Sequence, residues 1–315
     1  MSMADRIPTR EAYGKALAEL GGRNDKIVVF DADVAMATKT IYFKNAYPDR
    51  FFDAGISEAN MICTAAGMAD MGYIPFVSSF AVFGLGRAFD QVRNTVAYGK
   101  YNVKLCMTHA GLTAGADGGS HQAIEDLALA RVLPNLRVLC PCDAEQTKKA
   151  LQLAADTEGP VYLRISRMPT PVFSADRPFE LGGSHVMREG SDLVIFTLGV
   201  MVSRSLEAAE ILKQNGVDAA VIDLYSIKPI DRDRILTYAK QCGRAVTVEE
   251  HSIYGGLGDA VSEVLCAEYP IPMARIGVRD LFGCSSIDSE EMLRAYGLDA
   301  EGISSQILEF MKNRA

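Results

Sequence analysis

The chain alternates short, unbroken apolar runs with longer stretches whose apolar positions fall three and four residues apart. The runs at 26–31, 74–80, 104–108, 135–140 and 160–166 are too short for helices and read as buried strands. Around them, 9–21, the run after Ser57 as far as Asp70, 87–98, 122–130 and 143–155 carry helical spacing. Thr9 stands as the cap of the first of these helices, Ser57 or Asp53 as that of the second, and the last begins capped at Asp143. Stretch 167–178 holds Pro169, Pro171 and Pro178 and loses the periodicity. Beyond it strands recur at 192–198, 219–224, 244–249 and 273–278, with helices at 201–214, 231–242, 255–267, 289–296 and 300–313. The pattern predicts two successive α/β domains with parallel or mixed sheets: 1–172, a linker 173–185, and 186–315.

Composition bounds what such a chain does. Its 315 residues, 49% apolar and 23% charged, suit two ordinary globular domains. A net charge of −8 argues against non-specific binding to nucleic acid or anionic membrane. No apolar run approaches the roughly 18 residues that span a bilayer, and the N-terminus lacks a signal-peptide core, so a cytoplasmic location is expected. Seven cysteines, mostly in apolar surroundings, are expected to be buried and reduced; Cys140-Pro-Cys142 has the spacing of neither a redox motif nor a zinc site.

Two stretches carry candidate chemistry. Glu58 is the one charge between Asp53 and Asp70, at the head of a small-residue, apolar helix. It either supports that helix terminus, worth about 0.3–1 kcal/mol, or shares a proton with a bound heterocycle. The second stretch runs from His109 to Gln122 with Gly111, Gly115, Gly118 and Gly119, too much glycine for regular structure, and holds Asp117 and His121. Two of the chain's four histidines lie here. Neither HExxH nor GxSxG occurs, and no GxGxxG follows the first strand, which leaves proton traffic around a bound substrate or cofactor.

Gly-Ile-Ser-Glu58-Ala-Asn, Phe80 and Phe83 in Ser-Phe-Ala-Val-Phe, Arg-Ala-Phe-Asp-Gln-Val, Thr-His109-Ala-Gly, Gly-Ala-Asp117-Gly-Gly-Ser-His121-Gln and Ile-Ser-Arg167 stand in an order and spacing that resemble transketolases. Ser226-Ile-Lys-Pro-Ile-Asp231 and Val248-Glu-Glu-His251 through Gly258 resemble the C-terminal domain of the same family. The resemblance implies a thiamine-diphosphate-type pyrimidine-binding domain followed by a transketolase C-terminal-like α/β domain. It implies that Glu58 hydrogen-bonds the cofactor's aminopyrimidine, that Phe80 and Phe83 wall it, and that Asp33 touches the cofactor at a subunit interface. His121 would move a substrate proton, Asp117 would bind the hydroxyl beside the carbonyl, and His109 and Arg167 would grip the acceptor's phosphate. Glu249, Glu250 and His251 read as structural.

The Gly-Asp-Gly motif that holds the diphosphate and its Mg2+ or Ca2+ in transketolases is absent from this sequence. The resemblance therefore implies the C-terminal subunit of a split transketolase, paired as a heterotetramer with an N-terminal subunit, that moves a two-carbon ketol unit from a ketose to an aldose. The small, mild loop after His109 leaves room for an unusual or sulfonated sugar beside a sugar phosphate. Competing readings are a 2-oxo acid dehydrogenase β subunit, a 1-deoxyxylulose-phosphate synthase fragment and a non-catalytic regulatory subunit.

Overall fold

The computed structural model describes residues 6–312. Its first sheet has seven strands in the order Ser226–Lys228, Arg137–Leu139, Val161–Arg164, Lys104–Met107, Ile74–Ser78, Ile27–Asp31 and Phe51–Asp53. All neighbours pair in parallel except Ser226–Lys228, which is antiparallel to Arg137–Leu139. Central strands such as Ile27–Asp31 and Val161–Arg164 are buried along their whole length, as expected where helices cover both faces. The second sheet has five strands in the order Met273–Val278, Ala245–Ser252, Leu193–Thr197, Ala219–Asp223 and His185–Arg188, the last antiparallel.

Several elements depart from the sequence reading. The helix read after Ser57 is found at Glu58–Asp70, while Phe51–Asp53, ahead of it, is an edge strand that the pattern did not show. Neither proposed side chain caps it: Ser57 holds the cap position without a side-chain hydrogen bond, and Asp53 Oδ1 accepts instead from the amides of Asp33 and Gly55. Thr9 is the first residue of the helix Thr9–Arg23 rather than its cap, because its hydroxyl donates to Ser166 O at 3.0 Å. The helix expected over 87–98 is a short α turn, Phe89–Gln91, between two π-helical segments, Val82–Arg87 and Val92–Ala97. The helix expected from 122 begins at Asp126. Inside the proline-rich stretch, Pro169–Pro171 pairs with Arg6–Pro8 as a two-stranded ribbon. The final helix is Ala300–Lys312; residue 313 lies outside the described residues.

The cysteines divide unevenly. Cys106, Cys140, Cys142 and Cys242 are buried, whereas Cys63, Cys266 and Cys284 are exposed, contrary to the burial expected of Cys266 from its apolar neighbours. That helix, Leu257–Glu268, buries Leu257, Val261, Val264 and Leu265 and turns residue 266 outward, so the helical phase overrides local hydropathy.

One apolar cluster runs without interruption from Met61, Leu85 and Leu105 in the first domain to Phe196, Ile222 and Leu257 in the second. The two domains thus share a core, and Ser226–Lys228 extends that sharing to the backbone by lending a strand from one to the other's sheet.

Candidate functional site

In an open parallel sheet the residues following the strands' carboxyl ends gather along one edge. Here Asp33 follows Ile27–Asp31, Glu58 follows Phe51–Asp53, Phe80 follows Ile74–Ser78, His109 follows Lys104–Met107 and Arg167 follows Val161–Arg164. Short backbone links hold neighbouring ends together: Ala81 N donates to Thr108 O at 2.8 Å, and Thr108 N to Ser79 O at 2.9 Å.

Glu58, 3% exposed, accepts from Arg87 Nη1 at 2.9 Å and stands 3.5 Å from Ser79 Oγ. The Arg87 side chain is half exposed, and its guanidinium lies 4.4 Å over the Phe83 ring. Phe80 and Phe83 are near-parallel, with centroids 6.2 Å apart. Phe80 stacks on His109 at 3.9 Å, while His121 meets Phe83 edge-on at 5.1 Å and Phe80 at 6.1 Å. A single connected cluster therefore joins the buried acid, both aromatic rings and both loop histidines.

The histidines differ in state. His109 is buried; its Nε2 faces Arg10 Nη1 at 3.1 Å and its Nδ1 faces Thr108 Oγ1 at 2.9 Å. Since arginine can only donate, Nε2 accepts and Nδ1 carries the proton. Burial, then the charges of Arg10 and Arg167, push its pKa down to about 3, so it is a neutral imidazole. His121 is less buried, with Ser120 Oγ 2.9 Å from its Nδ1. Asp117 faces outward and pairs with Arg167 Nη1 at 3.3 Å, and the same nitrogen donates to Ala114 O at 2.8 Å. Asp33 stands apart from this cluster, exposed, with its amide on Asp53 Oδ1 at 3.0 Å.

Three contributors escaped the sequence reading. Arg10, which touches His109 and also donates to Ala37 O at 3.0 Å, lies 99 positions away in the first helix, where it was given no role. Arg87 heads a family-like helical motif but was given no role there, yet it bridges Glu58 and Phe83. Glu250, in the second domain, reaches across to the glycine loop, accepting from Thr113 N at 3.0 Å and Thr113 Oγ1 at 2.8 Å.

The donor set suits a planar heterocycle. Arg87 presents to Glu58 an N–H donor and to Phe83 a flat cation, the two contacts that an aminopyrimidine, with an amino group and a π face, would make in the same place. Among the described residues no group of three or more His, Cys, Asp or Glu could hold a metal ion.

The two α/β domains, with a buried glutamate, aromatic rings and histidines gathered at strand ends, belong to the fold class in which a pyrimidine-binding domain precedes a C-terminal α/β domain. The chain belongs to the transketolase family. Residues 5–172 match the family model for the transketolase pyrimidine-binding domain, and residues 182–303 that for the transketolase C-terminal domain. It is 45% identical over 96% of both chains to a protein of Methanocaldococcus jannaschii whose provisional name is transketolase C-terminal section. It is 39% identical to a 6-deoxy-6-sulfo-D-fructose transketolase subunit of Clostridium sp., covering 93% of this chain and 91% of that one. Against human transketolase it is 37% identical and spans 49% of that protein's length. A solved structure described as a split-gene transketolase, inactive β4 tetramer, superposes with a TM-score of 0.88 at 50% identity, covering 97% of this chain and 98% of the other.

Proposed function

We propose that this chain is the C-terminal subunit of a split, thiamine-diphosphate-dependent transketolase, transferring a two-carbon ketol unit from a ketose to an aldose once an N-terminal subunit completes the site. The observation that carries this reading is the single cluster of Glu58, Phe80, Phe83, His109 and His121, with Asp117 and Arg167 on the same loop edge. Two relatives support the division into subunits: one is described as a C-terminal section, and the other is an inactive tetramer of β chains. The domains are assigned as 1–172 for pyrimidine binding and 186–315 for the C-terminal unit, joined by 173–185. The seven free thiols support a reducing, cytoplasmic setting.

Thiamine diphosphate, when bound, would supply nucleophilic-carbon chemistry for transfer of the ketol unit. Glu58 would hold the pyrimidine ring through a shared proton, in place of the contact that Arg87 makes. Phe80 and Phe83 wall the ring, and Asp33 contributes from the exposed strand end. His121, beside the rings and less buried than His109, moves the proton of the substrate's hydroxyl or carbonyl. Asp117 binds the neighbouring hydroxyl. Arg167 and Arg10 supply positive charge for an acidic substituent on the sugar, with neutral His109 fixed between Arg10 and Phe80 as a hydrogen-bonding wall. Two arginines suit a phosphate or a sulfonate equally, and the 39% identical sulfo-sugar relative supports testing both. The divalent metal, Mg2+ or Ca2+, and the diphosphate belong to the partner subunit, in a heterotetramer built on the pyrimidine domains.

The test is reconstitution. The purified chain is expected to show no ketol transfer alone and to gain it with the partner, thiamine diphosphate and magnesium. Glu58→Ala should abolish turnover of the complex while leaving its circular dichroism intact; near-normal turnover would remove Glu58 from the chemistry, and ketol transfer by the single chain would refute the split site.

A further inference from the structure

The glycine loop is held from the far domain. Its first turn, Leu112–Asp117, begins against the carboxylate of Glu250, which is 1% exposed on the strand Ala245–Ser252. Glu250 Oε2 takes both the Thr113 amide and the Thr113 hydroxyl, and a Cβ at Gly111, where φ is +77°, would lie 2.4 Å from Glu250 Cδ. Gly111 is thus glycine for two reasons, a left-handed backbone and a carboxylate packed on its α carbon. Nearby ties are uncharged: Ser252 N donates to Ile124 O at 2.7 Å, and Gln122 Nε2 donates to Cys284 O at 2.9 Å.

Stability alone gives little reason for an acid here. Arg164, the cation beside it, is engaged by Asp126 through Nε at 2.8 Å and Nη2 at 3.2 Å, and meets Glu250 Oε1 only at 3.6 Å. Glu250 Oε1 has no hydrogen-bond partner. Two buried acids sharing one arginine are a poor stabilising device. What the carboxylate does is fix the start of a six-residue turn that ends at Asp117, four residues before His121.

We propose that Glu250 is a positioning residue: the second domain uses its carboxylate to clamp Thr113 and so set the placement of Asp117 and His121, which makes the C-terminal domain a working part of the site. This rests on the functional reading above for its kinetic arm alone. In the reconstituted complex Glu250→Ala is expected to lower kcat roughly tenfold to a hundredfold, as misplacement of reacting groups by about 1 Å does. Glu250→Gln, which keeps an acceptor oxygen for Thr113, should recover most of it. In the single chain, hydrogen exchange of the amides at 113–118 should quicken about tenfold or more in Glu250→Ala, with the strands Ile27–Asp31 and Leu193–Thr197 unchanged. Thr113→Val removes the hydroxyl half of the same contact from the loop side, leaving the amide, and should act in the same direction with a smaller effect, which keeps the test alive if Glu250→Ala does not fold. Loop exchange within twofold of the parent, or exchange raised equally in all strands, would overturn the clamp. Failure of the parent complex to transfer ketol units would instead overturn the functional reading, leaving the exchange result to judge the clamp.

Discussion

Asp223 is wholly buried, accepts from Gln146 Nε2 at 2.5 Å beside the Cys142 thiol, and has an Oδ1 without a hydrogen-bond partner. Burial pushes its pKa up to about 7. A carboxyl whose folded pKa lies above its unfolded value stabilises most when protonated, and that contribution is lost as pH rises through about 7. Asp223→Asn should therefore gain stability relative to the parent as pH is raised from 5 to 8, by up to a few kcal/mol, measured by urea unfolding at both pH values. A difference independent of pH would show that the acid is not protonated in the folded state. His109 has the opposite sign: held near a pKa of about 3, its ring carbons should not titrate between pH 5 and 8 in a carbon-13 NMR series, and a titrating signal would contradict its contact with Arg10. Residues of this kind are read unequally well from sequence. Glu58 could be singled out because it is an isolated charge at the head of an apolar helix. Arg10 could not, since nothing in Thr-Arg-Glu announces that its partner sits 99 positions on. The contact of Glu250 with Thr113 could not be read either, since it spans 137 positions and two domains.

At the level of elements, strands were read most easily, since short runs of Val, Ile and Leu buried on both faces have few alternatives. Helix starts were read least well, because several polar side chains near a terminus compete for tertiary partners: Thr9 is taken by Ser166, and Asp53 by its own turn. Asp143, like Asp231 and Asp288, follows the rule, and it does more than cap. Its Oδ1 accepts from Gln146 N at 2.8 Å and Ser174 Oγ at 2.7 Å, and its Oδ2 from the amides of Phe173 and Ser174. Asp143→Ala should cost about 2–4 kcal/mol, above the usual cap value of about 1, because two linker amides lose their acceptor as well. Equilibrium denaturation gives the number, and a loss below about 1 kcal/mol would mean the linker re-forms its bonds elsewhere. The π-helical turns around Phe89–Gln91 were invisible to periodicity, as an apolar face at three- and four-residue spacing does not report a wider turn.

On the scale of the whole molecule, the α/β character and the order of strands and helices were legible, whereas the bond between the domains was not. Nothing in Ser226-Ile-Lys228, three residues between a strand and a proline, marks it as the seventh strand of a sheet built from the first 170 or so residues. With a shared apolar cluster and a shared sheet, the described residues should melt in a single calorimetric transition whose van't Hoff and calorimetric enthalpies agree. Two separated transitions would show the connection to be weak.

The lent strand also limits how such a gene can be rearranged. A break between the two domains would strip Arg137–Leu139 of its outer neighbour and leave an open edge on one fragment, inviting aggregation, with the three-residue strand Ser226–Lys228 unpaired on the other. Shuffling can therefore detach or fuse whatever lies beyond this pair, but the pair itself has to be inherited as one polypeptide.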